Sequence, residues 1–442
     1  MATGAPPVPR QGTRIIASLL ASFALTSTAA EPWTLERALV FAQTNSPDAR
    51  IAAQRIVAAR AGVEQANSAF WPRLRFESGY TATDLPMLSF GNILNQRAYS
   101  SSINFNDVPN TDNLNVRGVL TMPLYTGGKI TADKRAAQAG STATIQEAEA
   151  VRQALAGEVA RAFFTAQKTR QFIAAAEAAV VSYQTNAGLA QQRFDAGSAL
   201  RADVLDLEVR LAQAQEDLVR ARNANALARR VLQNLLGIEG TDFAVADSAP
   251  ALTAPATGAM ASRPEFAAAA ERARAAESLV RSAKAGYRPR VSAFGSMDWN
   301  HGWETDGSGN GYTAGVLLQW DLFDGRLTRA RVSEARANLE VAREQERKVR
   351  LGVSLEAEQA RLDLQQAQER LGVGEKAVAQ AEESLTLTRD RFAQGMALAT
   401  QLIDAQTALT AARVRRADAE ADVQIATAAL RKALGRPILE GK

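Results

Sequence analysis

The chain has 442 residues, 46% hydrophobic and 22% charged, with no cysteine and one histidine. This excludes thiol nucleophiles, disulfides, Cys-ligated metal and a lipid-modified N-terminal cysteine, and leaves His301, read as a surface residue of a Gly- and Asp-rich loop, without a second histidine for a metal pair. The formal charge of +4 falls to +2 without Arg10 and Arg14, and the other cations alternate with acids along helical stretches, so no basic patch points to nucleic acid.

Residues 1–30 read as a secretory signal: Arg10 and Arg14 supply the charge, Ile15 to Leu25 the apolar run, and Thr28-Ala29-Ala30 the small-residue cleavage site. No later charge-free run approaches the ~20 residues a spanning helix needs. An exported chain of this kind is periplasmic, secreted, or inserted in an outer membrane as β-strands.

Beyond the signal, Thr34 is placed to cap a first helix, with Glu36 and Arg37 in its first turn. Asn45-Ser46-Pro47 breaks that helix, and a longer one runs from Asp48 to about Ala69, where Phe70-Trp71-Pro72-Arg73 stops it. Hydrophobicity then alternates with period two: Leu74, Phe76, Ser78 and Tyr80 against Arg75, Glu77, Gly79 and Thr81. An Asn-, Ser- and Pro-rich segment from about Asp84 to Asp112 reads as a loop, and Leu114, Val116, Gly118, Leu120 and Met122 mark a second strand. Thr126-Gly127-Gly128 ends it. The next 64 residues, from about Lys129 to Gln192, contain no proline and many alanines, so they read as a helix of about 95 Å.

That helix ends at Arg193-Phe194-Asp195-Ala196-Gly197, and a second one carries Asp203-Val-Leu-Asp206. The same words recur at Arg391-Phe392-Ala393-Gln394-Gly395 and Gln401-Leu-Ile-Asp404, at an offset of 198 residues, which still holds where Leu236-Gly237 meets Leu434-Gly435. A fixed offset over such a distance is an internal duplication. Ser262-Arg263-Pro264 opens the second copy's early helix and Tyr287-Arg288-Pro289-Arg290 closes it. Val291 to Asn300 and Tyr312 to Trp320 are its two alternating strands. We expect repeats at 31–250 and 251–442.

Each strand is close to the nine to eleven residues that cross a bilayer when tilted. Trp71, Tyr125, Tyr287, Trp320 and Phe323 gather at one end of the strands, as a membrane-interface girdle would. Four strands cannot close a barrel with a usable lumen. Three chains would supply twelve, continued by the long helices as a tube. A plain periplasmic coiled coil is the alternative; it leaves the alternating strands unexplained.

This order of elements, duplicated behind a signal, resembles the TolC family of outer-membrane efflux proteins from Trp33 to Pro437, most specifically in the two turn motifs. The resemblance implies a homotrimeric mixed α/β membrane protein: a twelve-stranded outer-membrane barrel set in lipid and continued by a helical periplasmic barrel. It implies a passive conduit with no enzymatic activity and no cofactor, partnered by a periplasmic adaptor (membrane fusion) protein and an inner-membrane pump of RND or ABC type. Protein secretion through the same architecture is the competing use. The helix turns would form the pore entrance, with Asp404 on a family aspartate, Gln401 where another acid often stands, and Asp203 on an acidic partner of the closed entrance. The family's locking Tyr and Arg are here Phe392 and Ala397, so Arg201 and Asp206 are candidates for a substitute lock. The same acids also suit the positive end of a helix. Gly197, Leu200, Gly395 and Leu398 fall at the tips that meet the adaptor.

Overall fold

The computed structural model describes residues 32–104, 106–240, 243–247, 250–255 and 263–439; the segment read as a signal lies outside them. Helix α1 (Leu35–Asn45) begins where Thr34 Oγ1 accepts the Arg37 amide at 3.2 Å. Pro47 then opens α2 (Pro47–Ser68). The remaining elements follow as β1 (Arg73–Thr83), α3 (Pro86–Asn95), β2 (Thr111–Tyr125), α4 (Lys129–Asp195), α5 (Arg201–Leu236), α6 (Pro264–Lys284), β3 (Arg290–Gly302), β4 (Gly307–Gln319), α7 (Leu327–Ala393) and α8 (Ala399–Ala433). The bounds of α4 and α7, and the starts of α5 and α8, differ by the same 198 residues that separate the sequence repeats. At 67 residues each, α4 and α7 extend about 100 Å. No described helix is long and apolar enough to cross a membrane.

The strands form one antiparallel sheet in the order β1-β2-β3-β4, and the β2–β3 pairing joins the two repeats. Register sorts the faces. Phe76, Gly118, Met297 and Tyr312 lie in one row, and Tyr80, Leu114 and His301 in another. Both rows belong to the apolar face. The opposite face carries Glu77, Arg117 and Asp298 in one row and Asn115 with Asn300 in the next. There Arg117 pairs with Asp298, and Asn300 Oδ1 accepts from Asn113 at 2.9 Å and Asn115 at 3.0 Å. A two-faced sheet of this kind separates lipid from water.

The segment expected to be a loop carries α3, which folds over the polar face at the end of the sheet away from the helices. Gln96, fully buried, donates to Asp112 O at 2.6 Å and Asn113 Oδ1 at 3.0 Å and accepts from Thr305. Ile93 and Ser89 are buried with it. His301 is likewise a strand residue, stacked on Trp299 at 5.7 Å and met edge-on by Trp303 at 5.0 Å.

The helices are held by two main clusters. One gathers Leu35 and Leu39 of α1, Leu155, Val159 and Phe163 of α4, Leu232 and Leu236 of α5, and Phe243, with Trp33 stacked on Phe243. The other lies at the far end of the hairpins and joins Tyr183 and Ala190 to Leu207, Leu385, Phe392, Leu402 and Ile403. Between them alanines dominate the buried positions of α4 and α8, so the helices approach closely with little side-chain filling.

Candidate functional site at the helical tips

Both hairpins turn by the same local device. In the first, the Gly197 amide donates to Phe194 O at 2.9 Å and Ser198 to Arg193 O at 2.8 Å; in the second, Gly395 donates to Phe392 O at 3.0 Å and Met396 to Arg391 O at 2.8 Å. This six-to-one closure needs a left-handed residue after the helix, and Gly197 and Gly395 have φ of 71° and 79°. Leu200 and Leu398 follow in extended conformation and project into solvent.

The acids expected at the entrance divide by role. Asp203 Oδ2 accepts the Leu200 amide at 3.1 Å, and Gln401 Oε1 accepts the Leu398 amide at 3.1 Å. These two residues, equivalent in the repeats, satisfy orphan amides at the start of α5 and α8. Asp206 and Asp404 are also equivalent, one turn further on, and both are exposed. Replacing Asp203 by alanine is expected to destabilise the start of α5 by ~1 kcal/mol, while Asp203→Asn keeps the acceptor. Amide hydrogen exchange at residues 200–204 measures the difference.

Two of the residues expected at the entrance make their contacts within the tip. Phe392 is only 2% exposed and belongs to the tip core rather than to its surface. Arg201 donates to Gln191 Oε1 at 3.2 Å and lies 5.9 Å from the Phe194 ring; it does not pair with Asp206. The contact that joins the two turns is made instead by Arg193. Its guanidinium donates to Phe392 O at 2.5 Å and Ser198 O at 3.1 Å and covers the Phe392 ring at 5.0 Å. Only the recurrence of Arg-Phe in both repeats pointed to it. Higher up, Asp418 of α8 takes ion pairs from Lys168 at 2.9 Å and Arg370 at 2.9 Å, tying α4 and α7 to the same helix. Burial opposes the Asp418 charge, but these hydrogen bonds outweigh it and hold the carboxyl below its ordinary range.

At the other end of the helices, Trp71, Tyr125, Tyr287, Trp320 and Phe323 are all exposed where helix meets strand, and Trp320 Nε1 donates to Tyr287 O at 3.2 Å.

The sequence profile of the outer membrane efflux protein family matches residues 39–238 and 257–436. The chain belongs to that family. It is one of channel and transport proteins rather than enzymes. Among its relatives, the chain is 28% identical over 317 residues to the outer membrane protein OprJ of Pseudomonas aeruginosa, covering 68% of this chain and 65% of OprJ. It is also 28% identical over 304 residues to the alkaline protease secretion protein AprF of the same organism, covering 63% and 61%. The aligned stretches thus span a little under two thirds of these relatives. The solved outer-membrane channel OprN superposes with a TM-score of 0.77 over 97% of this chain and 98% of its own, at 20% identity. The expected fold of the single chain is the observed one: a four-stranded antiparallel sheet continued by long helical hairpins.

Proposed function

We propose that three copies of this chain assemble into an outer-membrane channel-tunnel, the passive export conduit of a tripartite efflux system. The observation that carries the reading is the sheet: one apolar and one polar face, strands of 11 to 15 residues, and outer strands β1 and β4 each with one edge left without a partner strand among the described residues. Open edges in lipid are untenable, because unpaired backbone groups there find no water. Three sheets joined edge to edge remove them. Trp71, Tyr125, Tyr287, Trp320 and Phe323 then ring the inner interface of the membrane, and α4, α5, α7 and α8 form a tube across the periplasm. A plain coiled coil gives no reason for the two-faced sheet.

The chain enters this assembly after export on residues 1–30, and residues 31–250 and 251–442 supply the two repeats of the wall. A periplasmic adaptor would meet Gly197, Leu200, Gly395 and Leu398 at the tips, and an inner-membrane pump of RND or ABC type would supply the energy. Three chains bring Asp206 and Asp404 together as six carboxylates at one level of the entrance, which attracts cations and repels anions; Asp203 and Gln401 set the helix starts that hold them. The similarity to AprF supports a second use of the same conduit, secretion of a polypeptide.

Reconstitution in planar bilayers tests the proposal. The protein is expected to conduct, to favour cations and to be blocked by multivalent cations from the tip side. Asp404→Asn is expected to weaken block and selectivity, and Asp206→Asn with Asp404→Asn to weaken them further. Conductance with unchanged block in the double variant would remove the acids from the pore. No conductance, with the chain washed from membranes by alkaline carbonate, would remove the channel.

A further inference from the structure

The tip contact between the repeats has a second half that a single chain leaves open. Within the chain the long helices lie in the order α5, α4, α8, α7: α4 of the first repeat packs along α8 of the second, and α5 and α7 have no comparable packing on each other. Three contacts of α4 with the second repeat near the tips are Arg193 with Phe392, Ser182 with Gln406, and Tyr183 OH with Thr407 Oγ1 at 3.0 Å. Because the repeats are offset by 198 residues throughout these helices, each contact has an image from α7 of one copy to the first repeat of the next. Arg193 and Phe392 map to Arg391 and Phe194, Ser182 and Gln406 to Gln380 and Glu208, and Tyr183 and Thr407 to Ala381 and Val209.

The images are chemically matched. An Arg–Phe pair returns as an Arg–Phe pair, a donor and acceptor return as the amide of Gln380 and the carboxylate of Glu208, and a polar pair returns as the apolar Ala381 and Val209. Exposure follows the same rule. Phe392 is 2% exposed and Phe194 37%; Ile403 is 5% exposed and its equivalent Leu205 47%. Leu387, Val209 and Val219 are exposed along the same two helices, and so are Arg391, Gln380 and Glu208.

We infer that these residues are the contact between neighbouring copies, with Arg391 donating to Phe194 O of the next chain and covering its ring as Arg193 does for Phe392. The tip of the assembly is then closed by six Arg–Phe clamps, three within chains and three between them. The occupant is a second copy of this chain because the face repeats, residue for residue, one the chain already covers with itself. Arg391 retains its own-turn acceptor as well: Met396 O stands where Ser198 O stands for Arg193. The inference rests on the trimeric reading above, deepens it to named residues, and supplies a closure where the family's Tyr and Arg are absent.

Introduced cysteines test it in a chain that has none. In outer membranes, Glu208→Cys with Gln380→Cys is expected to give covalent dimers and trimers with a short bismaleimide, and Ser182→Cys with Gln406→Cys only monomers. Adding Arg391→Ala is expected to lower the interchain yield roughly tenfold, the loss expected when a charge-assisted hydrogen bond is removed, and to leave the 182–406 yield unchanged. Arg193→Ala should do the reverse. Native mass in mild detergent separates the two layers of the argument: a monomer overturns the channel reading beneath the clamp. A trimer without the 208–380 crosslink, or with a crosslink indifferent to Arg391→Ala, overturns the clamp alone, as does a crosslink from residue 208 to a different protein.

Discussion

Phe76→Arg is expected to leave little or no assembled protein in the outer membrane. Phe76 is 73% exposed in the single chain, and it stands in register with Gly118, Met297 and Tyr312, at the middle of β2, β3 and β4. The row therefore marks the midplane of the apolar band. An arginine on the lipid face there costs ~2–4 kcal/mol, and a three-chain barrel carries the substitution three times, for a total of roughly 6–12 kcal/mol. That is comparable to the net stability of an ordinary domain, about 5–15 kcal/mol. The neighbouring Glu77 lies on the polar face beside Arg117. Glu77→Arg adds a cation next to another one but keeps it in water, so its expected effect on assembly is small and its effect on ion selectivity large. Outer-membrane yield of the two variants, measured as trimer in unheated gels, reads the contrast directly. Equal yields would mean that the apolar face does not meet lipid.

The strands were legible because each has one face in lipid and one in water, which imposes period two on the sequence even at 11 to 15 residues. The hairpins were legible because duplication preserved their length: a residue inserted in α4 but not in α7 would have broken the register of the tube. Helix α3 was not legible. Its hold on the sheet runs through Gln96 to Asp112, Asn113 and the distant Thr305, and nothing in the Asn- and Ser-rich segment around it shows a helical period long enough to read. At the tips, the turn glycines could be read from local spacing, and Asp203 as an acid suited to a helix start; the cap made by Gln401 was not read. The role of Arg193 could not be, since its acceptors are backbone carbonyls that any residue would present. Nor could sequence separate Phe194 from Phe392. The same word in both repeats is buried in one and open in the other, and only the order of the helices decides which.

Arg263→Ala is expected to lower stability by ~3–5 kcal/mol, the cost of stranding the partners of a buried ion pair. Arg263 precedes Pro264 at the start of α6 with its side chain 2% exposed. It donates to both oxygens of Glu265 at 2.9 and 2.8 Å, to Glu356 of α7 at 2.8 Å, and to the carbonyls of Lys432 and Ala433 at the end of α8 at 3.2 and 3.0 Å. Lys432 Nζ completes the cluster on Glu356 at 3.0 Å. One guanidinium thus fixes three helices and caps one of them, and alanine leaves two carboxylates and two carbonyls short of a partner. The pH dependence follows from the same contacts. Burial opposes the charge on Glu356 and Glu265, but hydrogen bonds from Lys432 and Arg263 to the first, and from Arg263 to the second, hold both below the ordinary value of 4.5. A depressed carboxylate stabilises the fold at pH above its unfolded value and loses that contribution as pH falls through its folded one. The melting-temperature gap between the native protein and Arg263→Ala is therefore expected to be full at pH 7 and to shrink on acidification below about 4.5. A gap of constant size from pH 7 to pH 3 would mean that the arginine acts by packing alone. Arg263→Lys separates these further, since an ammonium keeps the charge but cannot reach two carboxylates and two carbonyls with a fixed fork of donors; it is expected to recover less than half of the loss.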